Sequence, residues 1–326
     1  MKTGLSAAAA AVLLTAVTLS AQPSHRHRSM EPRFHGPFIE NFTRSTSDFF
    51  NYNIRPRGYD FRYYSGVRSF TEAGTDIMMY RMDPEDPAGA GRGPEIISKD
   101  YTFYGTYAAR IRVPDVKDVQ KDLGAVVGYF TYNVDSEAGQ SEIDIEWLVA
   151  DPSIIYVGTW TGVRPAHNRV GRTINLADGT IYETVYRSET TGPDGEKEVA
   201  YGGKLTGRQA LPKKITPIEG FDASERFYVY GFDWYPDRIT WWIINPDTNE
   251  KIVLWDYEGK VLFPGQPAET GVPNVQSRYR LNFWHTDNWP VETNPESVEP
   301  PFYPYELEID WMSYTPFDDL NPYYTE

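Results

Sequence analysis

The run Gln140-Ser141-Glu142-Ile143-Asp144-Ile145-Glu146-Trp147 holds the residues most able to do chemistry. Read as a strand, its alternation sends Ile143, Ile145 and Trp147 to one face and Glu142, Asp144 and Glu146 to the other. Neighbouring acids on that face stand ~6.6 Å apart along the backbone. Two such charges repel by roughly 0.6 kcal/mol in water, and by about 2.5 kcal/mol at an effective dielectric of 20. A purely structural strand would avoid this row or interrupt it with a lysine. One ionised carboxylate as nucleophile and one carboxylic acid to protonate a leaving oxygen are what glycoside hydrolysis requires, with the two carboxyls ~5–5.5 Å apart in a retaining pair. The outer glutamates must lean together to reach that separation. Asp144, between them, can couple to both and keep one protonated. The same five-residue pattern also fits a solvated acidic face or part of a calcium site. The aromatic flanks weigh against both: Tyr129, Phe130 and Tyr132 precede the run, and Trp147 and Trp160 follow, as in an acidic row set in an aromatic groove.

Such a row needs a sheet to hold it, and past residue 40 the dominant period of the sequence is two. Short alternating or aromatic runs predict strands over Thr75–Met82, Gly105–Val113, Val126–Tyr132, Glu142–Trp147, Ile154–Trp160 and Tyr182–Arg187. Further ones fall over Arg226–Tyr235, Arg238–Ile244, Lys251–Tyr257, Arg278–Trp284 and Glu306–Tyr314. Each is rich in Tyr, Trp, Val or Ile and bounded by Gly, Pro, Asn or Asp. No long window shows helical periodicity. Many short strands at this spacing predict an all-β sandwich or jelly roll. Asp83–Gly93 lacks the spacing of a phosphate loop and reads as a flexible loop. Thr190–Glu198 reads as a polar hairpin tip or long loop.

The composition narrows the chemistry further. The chain has 326 residues, 31 Lys+Arg against 46 Asp+Glu, a formal charge of -15, and no cysteine. The acidic balance repels phosphate backbones and argues against nucleic acid as a partner. Without cysteine there is no disulfide framework, no thiolate nucleophile and no Cys-ligated metal. Ser141 lies in no G-x-S-x-G context, and the five histidines are scattered with no HExxH. Aromatic residues make up 15% of the chain although the mean hydropathy is only -0.53, so a soluble chain carries many flat apolar faces.

Glu142-Ile143-Asp144-Ile145-Glu146 resembles the catalytic motif of glycoside hydrolase family 16, the jelly-roll β-glucanases. The resemblance extends in order along the chain. Tyr104–Ile111 resembles the strand after that family's YG turn, and Tyr129–Tyr132 its pre-catalytic strand. Tyr230–Pro236 followed by Ile239-Thr240-Trp241 resembles its F-x-W-x-P…I-x-W/F segment. Leu281–Trp284 resembles its cleft strand, and Glu308–Tyr314 its closing strand. The resemblance implies a concanavalin A-like β-jelly-roll sandwich of two antiparallel sheets. It implies Glu142 as nucleophile, Glu146 as general acid/base and Asp144 as assisting carboxylate. It also implies that Arg110, Phe130, Trp160, Asn282, Trp284 and Trp289 line the sugar subsites, where ring faces suit the apolar faces of pyranoses and Asn or Arg bond hydroxyls. Where the family commonly has a Trp and an acid before the motif, this chain has Gln140 and Ser141. The uninterrupted E-I-D-I-E is similar to the regular-strand branch, which includes licheninases and transglycosylases, since an inserted residue would re-aim the second glutamate.

Residues 1–21 read as a secretory signal, with Lys2, an apolar Ala7–Leu14 run and small residues up to Ala21; the run falls short of the ~20 apolar residues of a membrane span. Residues 22–37 read as a flexible lead-in and 38–326 as one hydrolase domain. The expected protein is a secreted monomer, with periplasmic or cell-surface placement open for a bacterial source. It acts on a β-glucan-like polysaccharide, with mixed 1,3-1,4 linkage favoured and no membrane contact after signal cleavage. Other family substrates, transglycosylation and a non-catalytic carbohydrate-binding jelly roll are the alternatives. Hydrolysis would need no cofactor; a structural calcium ion fits the resemblance, but no ligand set singles itself out.

Overall fold

A computed structural model describes residues 36–54, 63–64, 77–82, 84, 93–163, 166–191, 194–201, 205, 207–263 and 269–320. The expected signal, nearly all of the lead-in and most of the Asp83–Gly93 loop lie outside the described residues. The described chain is built of strands: β1 (Phe38–Glu40), β2 (Phe50–Ile54), β3 (Tyr63–Tyr64), β4 (Met78–Met82), β5 (Glu95–Thr102), β6 (Gly105–Arg112), β7 (Ala125–Asp135), β8 (Gly139–Leu148) and β9 (Ile154–Thr161). They continue as β10 (Ala166–Asn175), β11 (Ile181–Thr191), β12 (Lys197–Tyr201), β13 (Tyr228–Trp234), β14 (Ile239–Ile244), β15 (Lys251–Tyr257), β16 (Ser277–His285) and β17 (Tyr305–Pro316). Among the described residues no helix is long and apolar enough to cross a membrane.

The strands make two antiparallel sheets, as expected of a jelly roll. Among the described residues one has nine strands in the order β12-β11-β10-β9-β8-β7-β16-β5-β2. The other runs β15-β14-β13-β6-β17-β4-β3, with β1 also paired to β17. Their facing sides share one core, because alternation sends every second side chain inward. Tyr129, Ile143, Ile145, Trp147, Tyr279, Leu281 and Phe283 from the nine-stranded sheet meet Tyr107, Tyr230, Phe232, Trp241 and Trp255 from the other. Aromatic pairs stitch the layers: Tyr107 meets Tyr279 edge-on at 5.1 Å, and Trp147 meets Tyr230 edge-on at 4.6 Å. Trp241 donates from Nε1 to the Asp144 carbonyl oxygen at 3.0 Å, so one sheet props the acidic strand of the other.

All eleven predicted strands are present, and Lys251–Tyr257 has its predicted ends. The polar stretch near 190–198 is the β11–β12 hairpin, whose strands run on into it. Two further long strands, β5 and β10, carry no clean apolar alternation. In β10 the inward row is Val170, Arg172 and Ile174, and the arginine breaks the pattern. Burial of Arg172 is tolerated because its guanidinium donates to the carbonyls of Gln209, Leu211 and Pro212 and lies 4.6 Å from the Trp255 ring.

Candidate active site

Strand β8 presents its side chains as the alternation requires. Ile143, Ile145 and Trp147 are fully buried in the core, and Glu142, Asp144 and Glu146 face the outer groove of the nine-stranded sheet. The register sets their neighbours. On one side Glu142 lies opposite Tyr132, Asp144 opposite Phe130 and Glu146 opposite Gly128 of β7. On the other, Glu142 lies opposite Trp160, Asp144 opposite Gly158 and Glu146 opposite Tyr156 of β9. One strand further, β16 sets Arg280 opposite Phe130, Asn282 opposite Gly128 and Trp284 opposite Val126. Beyond β9, β10 sets Arg169 opposite Trp160 and Gly171 opposite Gly158.

The groove floor therefore has a row of acids with arginines and rings to either side. Between β8, β9 and β10 a cavity of about 30 Å³ opens, lined by Asp144, Glu146, Tyr156, Gly158, Arg169 and Gly171 among others. It exists because two glycines face each other across β9 and β10 and place no side chain there. At the strand ends beyond Glu146, Leu148, Val126 and Ile154 are covered by Val291, Trp284 and Trp289, an apolar patch that walls the groove. The Tyr156 hydroxyl ties this wall down by donating to Glu292.

Confinement of three carboxyls makes their ionisation costly. Burial raises Glu142 from its ordinary 4.5 to about 7; the Glu146 charge adds to the rise, while the Gln140 amide, which donates to Glu142, and the charges of Arg280 and Arg169 oppose it. Burial likewise raises Glu146 to about 7, opposed by Arg169. Asp144, 7% exposed, is pushed well above the usual carboxylate range by burial and then by the charges of Glu142 and Glu146. At neutral pH the row thus holds both ionised and protonated carboxyls, and the three titrate as a set.

The structure brings together Glu142, Asp144, Glu146, Phe130, Trp160, Asn282, Trp284 and Trp289 on the groove side of one sheet. Arg110 does not join them. It lies on β6 of the opposite sheet, pairs with Asp310 at 2.5 Å and packs over Phe227 at 4.9 Å. Its expected place among the sugar-lining residues is corrected accordingly: β6 belongs to the other layer, and its outward side chains face away from the groove. His285 shares the inward parity of Tyr279, Leu281 and Phe283 and is buried. Several groove residues escaped the sequence reading: Gln140 as a donor to Glu142, Arg280 bridging Glu95 at 3.0 Å and lying 5.0 Å from the Tyr132 ring, and Arg169. Arg280 was within reach, since it sits two residues before Asn282 on the same face of a predicted strand. Arg169 lies on the strand that the alternation did not reveal. Among the described residues no group of three or more His, Asp or Glu side chains is placed to hold a metal ion.

A jelly-roll sandwich with an acidic row in an aromatic groove is thus the class defined by fold and site. Residues 58–174, which contain β8, β9 and most of β10, match the family model for glycosyl hydrolases family 16. The chain is similar to a beta-glucanase of Paenibacillus polymyxa, 24% identical over 199 residues, which cover 60% of this chain and 55% of the relative. It is also similar to a beta-glucanase of Bacillus amyloliquefaciens, 23% identical over 215 residues, covering 65% of this chain and 59% of the relative. The aligned part thus spans little more than half the length of these curated relatives. Among solved structures, a prokaryotic β-1,3-1,4-glucanase (lichenase) from a mouse hindgut metagenome superposes with a TM-score of 0.47 at 17% identity, covering 86% of this chain and 100% of that one.

Proposed function

We propose that the protein is a secreted, retaining endo-β-glucanase acting on mixed 1,3-1,4-linked glucan. The observation that carries this reading is the row Glu142, Asp144 and Glu146 on one groove face, with two of its carboxyls raised to about 7. Glu142 is the nucleophile: it receives the Gln140 amide, which holds negative charge on its oxygens. Its ionised oxygen attacks the anomeric carbon to form a glycosyl-enzyme, while Glu146, kept protonated by burial, gives its proton to the leaving oxygen. Water then hydrolyses the intermediate, with Glu146 as base.

Groove side chains support a polysaccharide substrate. Phe130 and Trp284 offer faces for pyranose rings. The Oδ1 of Asn282 is buried and, among the described residues, accepts no hydrogen bond, so a sugar hydroxyl would satisfy it. Preference for β-glucan follows from the beta-glucanase relatives, and secretion from the leader-like residues 1–21. The test is a digest of barley β-glucan, lichenan, laminarin, xyloglucan and agarose with sizing of products, by the wild type and by Glu142→Gln. Release of short mixed-linkage oligosaccharides by the wild type alone is expected. Full activity of Glu142→Gln would sink the assignment, and products longer than the substrate would replace hydrolysis with transfer.

A further inference from the structure

Arg169 stands out among the groove cations by the way it is held. Its guanidinium carbon lies 5.5 Å from the Trp160 ring centroid and 5.5 Å from that of Trp289. Among the described residues no carboxylate is within ion-pair distance of it. Trp160 is the cross-strand neighbour of both Glu142 and Arg169, so one ring spans from the acidic row to the arginine. Trp289 comes from the wall loop and is fixed there by edge-on contact with Tyr156 at 5.1 Å. Gly158 and Gly171 put no side chain between Arg169 and the row, and Arg169, Asp144 and Glu146 line the same cavity. The two tryptophans therefore turn faces toward a cation, not only toward the groove.

We propose that Trp160, Arg169 and Trp289 form a clasp that fixes a positive charge beside the acidic row, making Arg169 a positioning residue that sets the ionisation of Glu142 and Glu146. This rests on the reading of those two glutamates as the reacting carboxyls. Aromatic faces suit the task better than a carboxylate would. They hold a guanidinium in place without neutralising it, so its field remains available to the row. Other charged and titratable groups around the row are Tyr132 on β7, Tyr156 on β9, Arg187 opposite Arg169 on β11, Arg280 on β16 with Glu95 of β5 behind it, and Glu292 on the wall loop. Arg280 has its charge compensated by Glu95 at 3.0 Å. Arg169 opposes the rise of all three acids.

The sign is fixed by electrostatics. A nearby cation favours the carboxylate form, so its removal raises the ionisation midpoints of the row. A unit charge two strands away, ~10 Å, at an effective dielectric of 20 moves a midpoint by about one pH unit. The experiment is 13C NMR titration of the protein labelled at the glutamate carboxyls, with signals assigned through Glu142→Gln and Glu146→Gln. Arg169→Gln is expected to raise both midpoints by about one pH unit, and Arg169→Lys to return most of that. Trp289→Leu, which loosens the clasp and keeps the charge, moves them upward by less and serves if Arg169→Gln does not fold. Unmoved midpoints in Arg169→Gln, with only KM raised, would make Arg169 a sugar ligand and overturn the proposal. Moved midpoints in a protein that cleaves none of the glucans would leave the clasp standing and remove the substrate reading alone.

Discussion

Glu146→Gln should make the protein more stable at pH 8 while abolishing its proposed chemistry. Burial raises Glu146 from 4.5 to about 7 in the folded chain. At about 1.4 kcal/mol per pH unit, that displacement corresponds to roughly 3 kcal/mol. Because the folded state binds the proton more tightly, its advantage is complete below pH 4.5 and is lost as pH rises toward 7. Glu146 is half-buried, and solvent screening reduces the effect to about 2 kcal/mol. Glutamine has the shape of the protonated acid and no proton to lose. Urea unfolding should therefore give equal stabilities for wild type and Glu146→Gln near pH 4.5, and an advantage of about 2 kcal/mol for the variant at pH 8. The same variant should lose ~10²–10⁴-fold in hydrolysis, the usual contribution of general acid/base catalysis. Equal stabilities at pH 8, or an advantage undiminished at pH 4.5, would refute the claim that burial of this carboxyl costs the fold.

Gln140→Ala removes the amide that stabilises ionised Glu142, and the acid limb of the pH–rate profile should move up by roughly one pH unit; an unmoved limb would disconnect Gln140 from the nucleophile. Gly128→Ala would put a methyl carbon 2.5 Å from Asn282 Oδ1, so Asn282 must swing away; a several-fold rise in KM with little change in kcat is expected in steady-state kinetics. Arg110→Gln breaks the pair with Asp310 on the far sheet; urea unfolding should show a loss of about 2 kcal/mol while kcat and KM stay within twofold. A large rise in KM there would return Arg110 to the substrate.

The family match at 58–174 covers the acidic strand, and what surrounds that strand differs in how readable it was. Period-two alternation is a local consequence of strand geometry, so Glu142, Asp144 and Glu146 on one face and Ile143, Ile145 and Trp147 on the other could be derived from eight residues. The same logic located β15 to its ends, whereas Asn282 and Trp284 came from the resemblance of Leu281–Trp284 to a cleft strand. Strand β10 stayed hidden because its inward Arg172 looks polar in sequence and is satisfied only by carbonyls of the 209–212 segment and the ring of Trp255.

Layer assignment was the other limit. Alternation tells which side of its own strand a residue occupies, but not which sheet the strand joins. Arg110 and Arg169 are both outward-facing arginines on strands, and chain order favours neither. Pairing of β6 with β13 and β17 carries Arg110 to the far layer, while pairing of β10 with β9 sets Arg169 beside Trp160. The acids and their row are properties of eight consecutive residues. Their company, Gln140 excepted, comes from strands and a loop distant in sequence, and so was decided only when the two sheets assembled.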